Sequence, residues 1–150
     1  NISPVGGRVS SPALGAYAAS KFAIEALSDA LRIELHPWGI DVSVIEPGSF
    51  GTEIWRRGGA AADSTLERIP EEKRALYAGL IAAVRRLAQR TQDRGKPPDA
   101  VVRAIVHALS ASRPRTRYVV GTDARIQMAL ASLLPDRGFD ALVRRMLRIE

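Results

Sequence analysis

Apolar residues follow two different spacings in the first third of the chain. Between residues 12 and 36 they recur at intervals of three and four, which predicts one amphipathic helix with Ser11 as its N-cap. Pro37 ends this pattern, and GIDVSVIEPG follows as a short β-branched run of the kind found in strands buried on both faces. The chain also opens on NIS, which has the pattern of a strand end. The order strand, helix, strand predicts a βαβ unit of a parallel sheet.

The remaining two thirds of the chain begin with a segment that has no clear period. Between about residues 49 and 69, small and polar residues surround isolated large ones such as Trp55. Long segments of this kind tend to be functional or disordered, so we predict a mobile loop. Further along, apolar stripes and prolines predict a helix from Pro70, a helix from Pro98 to about Leu109, a strand at RYVVG, and helical segments on either side of Pro135.

Composition narrows the classes of function. A chain of 150 residues suits one domain, because proteins of this length bury roughly 70% of their unfolded surface. The absence of cysteine excludes disulfides and thiolate catalysis, and the two histidines have no partner at a metal-ligand spacing. No run approaches the roughly 20 apolar residues of a membrane span, and no export signal is evident, so we expect a cytoplasmic protein without a stable membrane span.

The net charge of +6 comes from arginines that are spread among acidic residues. No recognised nucleic-acid-binding motif accompanies this charge, so we do not expect a nucleic-acid partner. An anionic cofactor would benefit from the positive field.

Tyr17 and Lys21 are the pair that points to chemistry. Residues four apart on a helix share one face, with Cβ atoms about 5–6 Å apart. A nearby ammonium favours the phenolate and lowers the pKa of a tyrosine from its usual value of about 10. Such a tyrosine can exchange a proton with a substrate oxygen. The spacing alone occurs on many helices, so its meaning depends on the residues around it.

Those residues carry a family resemblance. YAASKFAIEALSDALRIEL, preceded by NISPVGGRVSSPALGA and followed by GIDVSVIEPGSFGT, resembles the second half of a short-chain dehydrogenase/reductase, particularly the branch of hydroxysteroid and retinol dehydrogenases. RPRTRYVVGTDAR also looks like the last strand of that branch and the start of its C-terminal segment. The resemblance implies an α/β fold with a Rossmann-like, doubly wound parallel sheet. It also implies hydride transfer between NAD or NADP and an alcohol or ketone.

The resemblance assigns roles to five positions. Tyr17 matches the residue that exchanges a proton with the substrate carbonyl or alcohol. Lys21 matches the residue that lowers the pKa of this tyrosine and hydrogen-bonds the nicotinamide ribose. Pro47 and Gly48 match the turn whose backbone approaches the nicotinamide, and Thr52 matches a hydroxyl that contacts the carboxamide or the phosphates. The loop that follows would be the substrate lid.

Two departures from the family pattern bear on activity. Pro4 stands where the family has a serine that holds the substrate oxygen. The adjacent Ser3 is the candidate replacement, but neighbouring residues at a strand end point to opposite sides, so this role requires a turn rearranged around the proline. The glycine-rich turn that supports the pyrophosphate is also absent from these 150 residues. We therefore interpret the chain as the C-terminal half of the domain, and expect it alone to bind NAD or NADP weakly and to be inactive. The alternative is a catalytically inactive member that retains only packing or oligomerisation surfaces.

Two further expectations concern partners. The mixture of apolar and small residues between about 49 and 69 suggests a hydrophobic alcohol or ketone rather than a sugar. The Tyr-bearing helix carries more apolar positions than one buried stripe requires, including Phe22, Ile24 and Leu27. We therefore predict a homo-oligomer that forms through this helix.

Overall fold

The computed structural model describes residues 1–51 and 53–149, including their side chains except those of residues 53–56 and 94. These ranges hold seven α-helices and two β-strands. In chain order they are α1 (Gly15–Glu34), β1 (Val44–Pro47), α2 (Glu53–Glu67), α3 (Glu71–Leu76), α4 (Ala78–Arg94), α5 (Asp99–Ser110), β2 (Arg117–Val120), α6 (Thr122–Leu133) and α7 (Asp136–Leu147).

The sheet is parallel and is extended by the first residues of the chain. β1 and β2 pair in parallel over their whole length, from Val44 opposite Arg117 to the last pair at their carboxyl ends. On the other side of β1, Ile2 pairs in parallel with Ile45, and the Ser3 amide donates to the Ile45 carbonyl at 2.9 Å. The predicted strand, helix, strand unit is therefore confirmed, as is the α/β class with an incomplete Rossmann-like sheet.

Helix α1 begins later than its sequence pattern predicts. Its first residue is Gly15, and the capping residue Leu14 makes no side-chain hydrogen bond. Upstream, Ala13 adopts a left-handed conformation with φ of 64°, and the Leu14 amide donates to the Ser11 carbonyl at 3.1 Å. Because this turn interrupts the helical backbone, Ser11 is not the N-cap and its prediction as one is wrong.

The segment predicted as an irregular loop contains a regular helix. α2 spans Glu53–Glu67, so the absence of regular structure predicted over about 49–69 is wrong. Alanine, arginine, leucine and glutamate are strong helix formers, and together they outweigh the two glycines, which cost about 1 kcal/mol each. The helix predicted from Pro70 is instead two helices, because the chain turns at Tyr77 between α3 and α4. The mobility of this segment and its role as a substrate lid stay predictions.

Residues 53–94 form a helical excursion that leaves and rejoins the fold at one place. Phe50 is buried and pairs in parallel with Lys96, and the Gly51 amide donates to the Lys96 carbonyl at 3.1 Å. Gly95 lies so close to Gly51 that a Cβ atom on Gly95 would overlap the Gly51 backbone. The excursion is therefore attached through a narrow neck, and outside that neck α4 packs against α7.

Charged side chains lie between α1 and the sheet. Arg117 of β2 donates to Glu46 at 2.8 Å and to Asp29 at 2.7 Å, and it also pairs with Glu25. We call these four residues the Arg117 cluster. Glu46 is completely buried and Glu25 nearly so. The cluster ties α1 to both strands. Its three carboxylates share Arg117, and Arg8 at 3.6 Å from Glu46 and Arg32 at 2.8 Å from Asp29 add further positive charge.

The cluster shifts the pKa values of its members. Burial, and after it the charge of Glu25, raises the pKa of Glu46 although Arg117 opposes this. The hydrogen bond from Arg32, supported by Arg117, lowers the pKa of the more exposed Asp29. Burial disfavours the charge of Arg117, but the hydrogen bond and charge of Glu25 outweigh burial and raise the pKa of Arg117.

The outer face of α1 exposes large apolar side chains. Phe22 is 44% exposed and Leu27 is 57% exposed, whereas Ile24 is half-buried. Pairing of this helix with a second copy stays a prediction. Across residues 1–51 and 53–149, no helix is both long enough and apolar enough to span a bilayer.

Candidate active site

The topology decides which end of the sheet Tyr17 occupies. Helix α1 connects the extended residues 1–3 to β1, and Ile2 pairs with β1 in the parallel sense. A helix that crosses between parallel strands runs opposite to them, so its N-terminus lies at their carboxyl ends. Tyr17 and Lys21, in the first two turns of α1, therefore lie at the same edge as the turn that follows Pro47. Ligands of open α/β sheets bind at this edge.

The Tyr17 ring is partly exposed and has neighbours that fix its position. A Cβ atom on Gly6 would lie 3.3 Å from Cε1 of the ring, so only a glycine leaves the ring its present room there. The Lys21 ammonium lies over the ring, 5.7 Å from its centroid. Both contacts involve the ring of Tyr17.

Burial raises the pKa of Tyr17 above its usual value. This direction is opposite to the one predicted from the neighbouring Lys21. The loss of water around the phenol disfavours the phenolate, and this effect dominates in the described arrangement. Tyr17 is therefore a protonated phenol at neutral pH, in the state from which a proton can be donated.

Ser3, the candidate substrate-binding hydroxyl, lies inside the fold. It is 0% exposed, and its Oγ donates to the Lys21 carbonyl at 3.3 Å. Gly7 packs directly against this Oγ. In this arrangement Ser3 helps to dock α1 and has no surface with which to contact a substrate. Its catalytic role stays a prediction that the burial does not favour, and Pro4 beside it has no hydroxyl.

The Pro47–Ser49 turn is held at two successive amides. The Gly48 amide donates to the Val120 carbonyl at 2.9 Å, which continues the ladder beyond the last strand pair. The Ser49 amide donates to Oδ2 of Asp123 at 2.6 Å. The predicted cofactor residues Pro47 and Gly48 are thus in a well-supported turn, whereas Thr52 lies outside the described residues.

The described residues suit one end of a dinucleotide better than the other. Tyr17, Lys21 and the Pro47–Ser49 turn offer a phenol, an ammonium and backbone groups, which suit a ribose and a nicotinamide. A pyrophosphate favours a helix N-terminus, where free amides and the helix dipole attract anions. Helix α6 begins at this edge, but Asp123 in its first turn places a carboxylate there. We therefore find a fit to the nicotinamide end alone.

Sequence reasoning overlooked Asp123 and the Arg117 cluster. GTDAR does contain a signal for the first, because an acidic residue is typical of the first turn of a helix. No local sequence pattern predicts the Arg117 cluster. Among residues 1–51 and 53–149, no group of three histidine or acidic side chains is arranged to hold a metal ion.

Comparison with known proteins identifies the family to which the chain is similar. A family model described as short chain dehydrogenase matches residues 1–63. Retinol dehydrogenase 5 of Mus musculus is 37% identical over 150 aligned residues, which cover 95% of this chain and 46% of that protein. The NADPH-dependent 3-dehydrocapnine reductase of Ornithobacterium rhinotracheale is 33% identical over 147 residues, covering 98% of this chain and 50% of that protein.

A third relative is the mitochondrial D-beta-hydroxybutyrate dehydrogenase of Bos taurus, which is 38% identical over 125 residues and 79% of this chain. The chain spans about half the length of the first two of these relatives and 36% of the third. The matched segment holds Tyr17, Lys21 and the turn after β1, on a fragment of a parallel sheet. The chain belongs to the short-chain dehydrogenase/reductase family.

Proposed function

We propose that the protein to which this chain belongs transfers a hydride between NAD or NADP and a hydrophobic alcohol or ketone. Tyr17 is the proposed proton donor and acceptor. The observation that carries the proposal is the placement of the Tyr17 phenol, with Lys21 over its ring, at the carboxyl edge of a parallel sheet. Membership of a family of dehydrogenases and reductases supports the reaction class.

In the proposed mechanism, the cofactor when bound supplies the hydride, that is, both electrons and one hydrogen. Tyr17 Oη donates a proton to the carbonyl oxygen of the substrate, and the resulting tyrosinate is reprotonated from solvent. The raised pKa keeps Tyr17 protonated at neutral pH, which suits carbonyl reduction. In the direction of alcohol oxidation the same oxygen must first lose its proton, so that direction gains as the pH rises towards the pKa of Tyr17. Lys21 orients the ring and binds the ribose.

The proposed substrate is apolar. The name of one relative refers to retinol, an apolar alcohol, and that of another to hydroxybutyrate, a small polar acid. The chain itself favours the apolar class, because the helical excursion combines alanines and glycines with leucine and isoleucine residues in the segment after the Pro47–Ser49 turn.

The contact between Gly6 and the Tyr17 ring gives one prediction. Changing Gly6→Ala places a methyl group 3.3 Å from Cε1, so the ring must shift by a few tenths of an ångström. We expect turnover of the intact protein to fall by up to about tenfold, since a misplacement of about 1 Å can cost about 100-fold. Gly15→Ala is the matched control, because nothing lies within 4 Å of the added Cβ atom. Equal turnover of the two variants would show that catalysis does not need this contact.

A non-catalytic relative of the same fold is the second candidate function. It is favoured by one observation, the combination of Pro4 with a fully buried Ser3. Without a hydroxyl beside Tyr17, the substrate oxygen loses one of the groups that the family uses to hold it. In that case the exposed apolar face of α1 would be the part of the chain that remains functional.

The experiment that separates the two candidates is an assay of the intact protein with NADH and NADPH. The panel contains apolar ketones and alcohols beside polyols of similar size. We expect turnover of the apolar compounds, with reduction favoured at neutral pH. A polypeptide of residues 1–150 alone is the control and is expected to lack micromolar affinity for either nucleotide. Turnover of polyols alone would contradict the substrate class, and binding of neither nucleotide by the intact protein would favour the non-catalytic candidate.

A further inference from the structure

We propose that Asp123 is a positioning residue for the nicotinamide end of the site. Its carboxylate fixes the Pro47–Ser49 turn against the start of α6, so that the backbone at Gly48 is held in place for the cofactor. This inference rests on the proposed function and adds to it a residue that lies 74 positions away from the turn in sequence.

The contact joins the turn to the start of α6. Oδ2 of Asp123 accepts the Ser49 amide at 2.6 Å. The preceding amide, that of Gly48, is bound to the Val120 carbonyl at 2.9 Å, at the end of β2. Two consecutive amides are thus held by one strand and by the helix that follows it. A hydrogen bond to a carboxylate is about twice as strong as one between neutral groups, so Asp123 is the stronger of the two restraints.

Two glycines make room for this carboxylate. A Cβ atom on Gly48 would lie 2.8 Å from Cγ of Asp123, and one on Gly121 would lie 2.6 Å from its Oδ1. Gly121 also has a φ of 111°, a conformation that other residues rarely adopt. A carboxylate that only interacted with the helix dipole would need neither glycine. The close approach from both sides indicates a carboxylate fitted to the turn.

A purely structural role for Asp123 makes a different prediction from a positioning role. An acidic residue in the first turn of a helix stabilises that helix through the helix dipole, whether or not the helix is part of a binding site. Asp136 in the first turn of α7 offers this effect alone and is exposed. Asp136→Ala is therefore the matched control for Asp123→Ala.

The test measures the Ser49 amide and two ligands on the intact protein. Hydrogen exchange reports the Ser49 amide, and calorimetry compares the reduced cofactor with ADP-ribose, or its 2′-phosphate, which lacks the nicotinamide. For Asp123→Ala we expect about tenfold faster exchange and about tenfold weaker cofactor binding, as for the loss of a hydrogen bond to a charged group. Affinity for ADP-ribose should stay within about twofold, because that part of the ligand does not meet the turn. Asp136→Ala should change none of the three.

Three outcomes have distinct meanings. Unchanged exchange at Ser49 would overturn the inference, because the turn would then not depend on Asp123. An equal loss of affinity for the cofactor and for ADP-ribose would also overturn it, since the effect would not be confined to the nicotinamide end. Failure of the unaltered protein to bind any nucleotide would contradict the proposed function. In that event, exchange at Ser49 alone decides whether Asp123 holds the turn.

Discussion

Turnover by the intact protein is expected to fall by a factor of about 10²–10⁴ when Tyr17 is replaced by phenylalanine, the range attributed to a positioned general acid or base. Phenylalanine keeps the ring that contacts Gly6 and Lys21 and removes only the oxygen that carries the proton. Because Tyr17 is partly exposed, we expect the free energy of unfolding to change by no more than about 0.5 kcal/mol. Steady-state kinetics and urea unfolding measure the two quantities separately.

Tyr77→Phe is the control for this change. Tyr77 is 61% exposed between α3 and α4, so it loses the same oxygen without a proposed chemical role. We expect its turnover to match that of the unaltered protein. Full turnover by Tyr17→Phe would show that Tyr17 is not the general acid of the proposed reaction. A loss of turnover together with a large loss of stability would point to a structural tyrosine instead.

Replacing Arg117 with methionine is expected to lower the free energy of unfolding by about 3–5 kcal/mol, the cost of removing one partner from a buried ion pair. Methionine keeps much of the side-chain length, but it removes the cation shared by Glu25 and Glu46 and leaves only Arg8, 3.6 Å from Glu46, as a counter-charge. Urea unfolding at neutral pH measures the loss. Arg113→Met is the control, since Arg113 is exposed four residues away, and it should change stability by no more than about 0.5 kcal/mol.

The titration of Glu46 changes the stability of the folded protein in a direction that its pKa shift predicts. The pKa of Glu46 is raised in the folded protein above its ordinary value of 4.5. Protonated Glu46 therefore contributes stability that is fully present below pH 4.5. This contribution is lost as the pH rises through the folded-state pKa of Glu46. Glu46→Gln cannot titrate, so its stability should lack this decrease and should exceed that of the unaltered protein above the folded-state pKa. Asp29, whose pKa is lowered, contributes in the opposite sense and loses its stabilisation as the pH falls.

A destabilisation of Arg117→Met no larger than that of Arg113→Met would mean that the two glutamates are neutral, or solvated, in the folded protein. Parallel stability curves for Glu46→Gln and the unaltered protein between pH 4 and pH 8 would contradict the raised pKa of Glu46. The two measurements test different parts of the Arg117 cluster, because the first removes its cation and the second removes its most buried anion.

The order strand, helix, strand was predictable because its signals are local. The spacing of apolar residues before Pro37 and the β-branched run after it each depend on neighbouring positions only. The start of α1 was not predictable in this way. It depends on the left-handed conformation of Ala13, which a non-glycine residue adopts only when the surrounding fold requires it.

The chemistry of the site also combines features that local sequence predicts with features that only the folded chain shows. The Tyr17 and Lys21 spacing is visible in the sequence, but the direction of the Tyr17 pKa shift depends on how much water the folded chain removes. The Arg117 cluster joins residues up to 92 positions apart, so no window of sequence contains it. The alternation of side chains already indicates that Ser3 points away from the position of Pro4, but only its packing against Gly7 and α1 shows that its hydroxyl is used internally.

The narrow neck between Gly51 and Gly95 makes residues 53–94 a separable cassette. Because the two ends of this cassette already touch, a replacement segment of another length would join the sheet at the same two points. Doubling the length of such a loop adds only about 0.6 kcal/mol of closure entropy. Outside the neck, the main interface to be rebuilt among the described residues is that between α4 and α7. Exchange of this cassette between relatives would let residues 53–94 diversify while the tyrosine helix and the strands stay unchanged.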